Sequence, residues 1–155
     1  MIFEDAGRYR LTLSPTSFTV LCPKGTDKFS GNATSKLPKV YIVSADDGPP
    51  FYVGITKRPM RSRLRIGWSA SGKSGYYGYA WRHRVTSAKL DLWCDTTPPA
   101  KDPCLDAETI EAELVYLIRK AGQWPLHQTE IHFHPSTDAH RAWAARMGAR
   151  YGLKP

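Results

Sequence analysis

Two apolar runs, Val40-Tyr-Ile-Val43 and Phe51-Tyr-Val-Gly-Ile55, constrain the fold of this chain more than any other feature. Both are built from β-branched and aromatic residues, which suit a pleated, half-buried surface. Between them stands Asp46-Asp-Gly-Pro-Pro50, turn chemistry short enough to send the chain straight back. The pair reads as a β-hairpin. With 155 residues there is room for one domain of ordinary size. The 41% hydrophobic and 12% aromatic residues can build its core despite 12 Gly and 12 Pro.

The remaining elements follow from periodicity and punctuation. Arg8-Tyr-Arg-Leu-Thr-Leu13 and Ser17-Phe-Thr-Val-Leu21 are β-prone, and Lys24 to Lys36 is rich in turn formers. Residues 1–37 therefore read as an N-terminal extension, a hairpin followed by a polar loop, ahead of a main domain over 38–155. After Pro59, the apolar Met60, Leu64 and Ile66 among four arginines suggest a short basic helix. A loop is expected over Gly67 to Tyr79, helix over Ala80 to Ala88, and a third strand over Lys89 to Cys94. Thr96 to Pro103 reads as another loop. Asp106 is placed to cap the clearest helix, Ala107 to Ala121, whose Ile110, Leu114, Leu117 and Ile118 recur at three and four. A short strand over Thr129 to Phe133 and a closing helix over Thr137 to Met147 complete the chain. The fold class is α/β in the α+β sense: a small, largely antiparallel sheet flanked by helices.

Charge narrows the partners. Lys and Arg number 22 against 14 Asp and Glu, a net +8, which favours a polyanion and nucleic acid first. No run reaches the roughly 18 apolar residues of a membrane span, and the acids Glu4 and Asp5 stand where a secretory leader is basic. A soluble, cytoplasmic protein without a membrane partner is expected. Cys22, Cys94 and Cys104 form no CxxC pair, so neither a disulfide framework nor a cysteine zinc site is indicated.

The hairpin carries Lys39-Val-Tyr41 and Tyr52-Val-Gly54, which resemble the two signature tripeptides of the GIY-YIG nuclease family, with Lys-Val in place of Gly-Ile. Downstream, Ile55 to Leu64 resembles the family segment leading to an Arg-Leu pair. Ile110-Glu111-Ala-Glu-Leu114-Val115 resembles its helix bearing a Glu followed by apolar residues three and four later. The resemblance spans roughly Lys39 to Gln128. It implies a DNA endonuclease that hydrolyses phosphodiester bonds with Mg2+ or Mn2+ and acts on double-stranded DNA. Tyr41 becomes the general base or water-positioner, Tyr52 second to it. Arg63, with Arg61 as rival, becomes the phosphate cation. Glu111, preferred over Glu113, becomes the metal ligand.

Those residue types suit the reaction. Phosphodiester hydrolysis needs a deprotonated water, a divalent ion to take up charge, and a fixed cation on the phosphate. One carboxylate with waters and phosphate oxygens is adequate for magnesium. A guanidinium grips phosphate in fork geometry. An ordinary tyrosine loses its proton only near ~10, so a base role requires a lowered pKa, which nearby arginines and the ion are expected to supply.

The chain departs from the pattern at two points. Gly67 stands four past Arg63, where the family often carries His, and His83 between Arg82 and Arg84 is the nearest replacement. The family's final Asn is missing, and Gln128 offers an amide instead. DNA contacts are expected from Arg58, Arg61, Arg65, Lys73, Arg82 and Arg84, with Tyr76, Tyr77, Tyr79 and Trp81 interleaved in a DNA-contacting loop. These departures motivate an alternative, a nucleic-acid-binding module that keeps the fold without catalysis. Gly67 to Ser74 also matches a P-loop, the motif of nucleotide hydrolases, but follows no buried strand. His132 and His134 alternate on one strand face and invite a zinc reading with His127 and His140. No HExxH or paired cysteines accompany them.

Overall fold

A computed structural model of the protein describes residues 1–97, 102 and 104–155. The loop expected over Thr96 to Pro103 lies largely outside the described residues. Five strands form one antiparallel sheet: β1 (Phe3–Leu13), β2 (Phe18–Leu21), β3 (Lys39–Ser44), β4 (Pro50–Thr56) and β5 (Ser87–Asp95). Their spatial order is β2-β1-β5-β3-β4, which leaves β4 at one edge. Three helices, α1 (Met60–Ser69), α2 (Leu105–Lys120) and α3 (Asp138–Gly148), complete the expected α+β fold.

Every residue of β3 is buried because both faces of the sheet are covered. Tyr41 and Val43 face one core with Leu64 of α1, and Val40 and Ile42 face a second core with Ile110 and Leu114 of α2 and Met147 of α3. The N-terminal hairpin is present but is no appendage. β1 pairs with β5 from Phe3 to Thr12, so the sheet runs across the boundary drawn near residue 37.

Three local expectations change. Only a 3-10 turn, Ala80–His83, forms where a helix was expected, because Trp81 is fully buried against Trp68 and Tyr79 and β5 begins at Ser87. α2 begins at Leu105, which puts Asp106 in its first turn rather than at the cap. Thr129 to Phe133 forms no strand. The chain just before it already covers the β4 edge: His127 donates its backbone N–H to the Phe51 carbonyl at 3.0 Å. Gln128 Oε1 accepts the Val53 N–H at 2.9 Å. A side chain thus meets the edge group that a sixth strand would have paired. At α3 the expected start holds, with Thr137 and His140 forming a reciprocal cap.

Candidate functional site

The β3–β4 hairpin sets two tyrosines on one sheet face. In its register Tyr41 lies opposite Gly54, and Val43 opposite Tyr52, so the two rings are diagonal neighbours with centroids 5.9 Å apart. Gly54 is required by that packing. A Cβ there would stand 2.5 Å from the Tyr41 ring and 2.7 Å from the Tyr52 ring. Gly54→Ala is therefore expected to cost about 1–3 kcal/mol through overpacking, measured by urea denaturation. An unchanged midpoint would mean that the rings yield freely.

Beside the covered edge of β4 lies a cleft of about 180 Å³. Tyr52 lines it from β4, Arg63 from α1, Tyr76 and Tyr79 from the loop that follows, and Glu111 from α2. Arg63 donates to the Tyr76 hydroxyl at 2.7 Å and lies over the Tyr79 ring with 5.0 Å to its centroid. Tyr41 is fully buried behind this wall, and its hydroxyl shares a 2.9 Å hydrogen bond with that of Tyr79. The Tyr52 ring stands beside both, its centroid 5.9 Å from that of Tyr41 and 5.5 Å from that of Tyr79.

Of the residues singled out in the sequence, Tyr52, Arg63 and Glu111 thus come together, with Tyr41 directly behind. His83 does not join them. It is exposed in the 3-10 turn, where its ring nitrogen accepts from Arg82 Nε at 2.9 Å. The place expected for a histidine is filled from elsewhere: a side chain at position 67 would start 2.2 Å from the Tyr79 ring. Gly67 makes room for Tyr79, a residue that sequence reasoning assigned to a DNA-contacting loop. The missing signal was the pairing of a helix glycine with an aromatic residue twelve positions later, which no periodicity reports.

The electrostatics follow from burial. Glu111 retains only 6% of its exposure and has no ion-pair partner among the described residues. Burial pushes its carboxyl up to about 8, helped by the Glu108 and Glu130 carboxylates, while a Gln128 hydrogen bond and Arg63 pull the other way. The Gln128 amide itself joins the Val53 N–H to the Glu130 carbonyl, at 2.9 and 3.1 Å. Burial likewise raises Tyr41 far above the ordinary tyrosine range, and raises Tyr52 and Tyr79, with Arg63 opposing in each case. The lowered tyrosine pKa expected from nearby arginines is therefore overturned in the free protein. Desolvation outweighs the single guanidinium, and all three hydroxyls hold their protons at neutral pH.

Glu113 is half-buried and does not line the cleft. Arg61 binds the Asp27 carbonyl and lies near the Phe29 ring. Arg82 is committed to the end of α1, donating to the carbonyls of Gly67, Trp68 and Ala70. These contacts satisfy orphan groups of the helix terminus and remove Arg82 from the expected DNA contacts. Arg58, Arg65, Lys73 and Arg84 are exposed. Tyr79 and Trp81 are buried, so only Tyr76 and Tyr77 of the aromatic loop face solvent.

The P-loop match begins inside α1 and so follows a helix rather than a strand. The histidines form no cluster of their own, although His127 and His132 both line the cleft: His132 contacts Glu130, His134 contacts Glu108 at 2.7 Å, His140 contacts Asp106, and His127 packs edge-on against Phe51. Among the described residues no three His, Cys, Asp or Glu side chains form a metal-holding group. Glu111 offers a single buried carboxyl group without an ion-pair partner among the described residues. That fits a hard cation which keeps its waters and takes few protein ligands, as magnesium does. No helix among the described residues is long and apolar enough to cross a membrane. Compared with protein-family models, curated proteins and solved structures, the chain matches none.

Proposed function

We propose that the protein is a DNA endonuclease that hydrolyses phosphodiester bonds with a divalent cation, Mg2+ or Mn2+, in the cleft at the β4 edge, as its resemblance to the GIY-YIG nucleases implies. The observation that carries this reading is the convergence of Tyr52, Arg63 and Glu111 from a strand and two helices on one cleft, with Tyr41 hydrogen-bonded behind it. Arg63 would grip the scissile phosphate, since its guanidinium stays charged and presents paired donors. The Tyr52 and Tyr79 rings line the cleft, and their protonated hydroxyls can donate to a phosphoryl oxygen or orient a water. Tyr41 holds the Tyr79 hydroxyl in place from the core, which makes it a positioning residue. Glu111 would hold the cation. When bound, such an ion supplies charge stabilisation at the phosphoryl and leaving oxygens.

The protonated tyrosines favour a second reading, a DNA-binding module without catalysis, because none of them is a ready base in the free protein. Conversion of supercoiled plasmid to open circles separates the two. Nicking that requires Mg2+ or Mn2+ and stops in EDTA supports the nuclease. DNA binding without nicking in either metal rejects it in favour of the module. Binding itself is expected to weaken steeply between low and physiological salt, because a +8 chain displaces several counterions from a duplex. A flat salt dependence would mean that the contacts are not ionic.

A further inference from the structure

Residues 48–90 contain nine Lys and Arg and not one Asp or Glu. The other thirteen cations of the chain face all fourteen acids, so this segment alone accounts for the net charge. It folds as β4, α1, the aromatic loop and the start of β5. Its cations differ in how they are engaged. Arg82 caps α1, Arg61 binds a backbone carbonyl, and Lys89 lies 3.8 Å from Asp47. Lys57 and Arg58 are exposed and make no ion pair among the described residues.

These two, with exposed Lys36 from the preceding loop, line a groove of about 650 Å³ on the α1 side. No carboxylate lines it. Arg63 lines both this groove and the cleft, so the two adjoin at that residue. The rest of the cleft wall differs in sign: Glu108 and Glu130 line it together with Glu111. A polyanion meets attraction along Lys36, Lys57, Arg58 and Arg63, and repulsion at Glu108 and Glu130.

We propose that one sugar–phosphate backbone lies along Lys36, Lys57 and Arg58 and enters the cleft at Arg63, so that the strand to be cut approaches from the α1 side. This rests on the nuclease reading above. It adds Lys36 and Lys57 as phosphate-binding residues and fixes the direction of entry. The groove contacts are sequence-independent, since point charges on phosphates position a duplex without reading its bases.

Binding of a fluorescein-labelled duplex, followed by anisotropy in EDTA between about 50 and about 200 mM salt, tests this. The variant K36A/K57A/R58A is compared with R141A/R146A/K154A, which removes the same charge from exposed positions on and beyond α3. All six side chains are exposed, and circular dichroism checks that both variants fold. The groove variant is expected to lose about 2 to 3 from the slope of log affinity against log salt, near 0.9 per lost phosphate contact, and at least about tenfold in affinity at the upper salt concentration. The α3 variant is expected to change little. Equal losses in both would overturn the groove, since total charge alone would then explain binding. An intact slope in the groove variant, with salt-dependent binding by the unmodified protein, would overturn the groove and leave the nuclease reading standing. No binding by the unmodified protein at any salt would overturn both.

Discussion

Glu111→Gln is expected to abolish plasmid cleavage while making the protein more stable at alkaline pH. The loss should reach a hundredfold or more, because a held cation supplies several kcal/mol of transition-state stabilisation and each ~1.4 kcal/mol is tenfold in rate. The gain comes from burial. With its carboxyl raised to about 8, the folded protein keeps a proton on Glu111 that the unfolded chain has already released. Between the ordinary glutamate value of 4.5 and about 8, native stability therefore falls as pH rises, and above that window the full cost of a buried charge remains. Glutamine carries no such cost, so the variant should gain on the order of 2–5 kcal/mol near pH 9. It should gain nothing near pH 4. Urea denaturation at the two pH values measures the difference, and a pH-independent effect would mean that Glu111 is not desolvated. Glu113→Gln should leave both cleavage and the pH profile unchanged, because that side chain points about 200° away from Glu111 around the helix. A dead Glu113→Gln beside an active Glu111→Gln would show that the wrong face of α2 had been assigned to the site.

The same burial ties cation binding to the proton. Below about 8 a cation must displace the proton from Glu111, so its apparent affinity should fall about tenfold per pH unit. Cation titration of the unmodified protein at two pH values below 8 reads this directly. Equal affinities would place the cation on a group other than Glu111.

Tyr79→Phe is expected to lower cleavage by about 10² to 10³, the range of a positioned hydrogen-bond donor. The aromatic ring stays in the packing against Trp68, Trp81 and Gly67, so only the hydroxyl is tested. Its loss removes the 2.9 Å partner of the buried Tyr41 hydroxyl, at a cost of about 1–3 kcal/mol. Tyr77→Phe, exposed on the same loop, should change neither property. Gly67→Ala should reproduce the loss by a different route, since its Cβ would displace the Tyr79 ring. Normal cleavage by Tyr79→Phe alongside a dead Arg63→Ala would mean that the tyrosine set only packs, with Arg63 and Glu111 carrying the reaction alone. If Arg63→Ala also cuts normally, the cleft is not the site of cleavage.

The β3–β4 hairpin was legible because its runs are β-branched and its turn is Asp-Gly-Pro-Pro, both local properties. α2 was legible because its apolar residues recur at three and four. Tyr41, Tyr52, Arg63 and Glu111 were singled out through the resemblance to the GIY-YIG nucleases, and the fold brings Tyr52, Arg63 and Glu111 to one cleft. The identity of the buried hydroxyl beside Tyr41 was not legible. It depends on a loop folding back until the Tyr79 ring fills the space over Gly67, a long-range packing event without a local pattern. His83 looked suitable by proximity in sequence, yet its turn is set by the burial of Trp81 and faces solvent. Arg82 looked like a DNA contact until the end of α1 came within its reach. Thr129 to Phe133 alternates as a strand should, but the edge of β4 was already closed by His127 and Gln128. The pKa directions also belong to the tertiary structure alone, since they arise from desolvation in a wall that α1, α2 and the hairpin build together. Local propensity and spacing are written in neighbouring residues. Burial, capping at a distance and the filling of one residue's space by another depend on which segments meet, and only the assembled fold decides that.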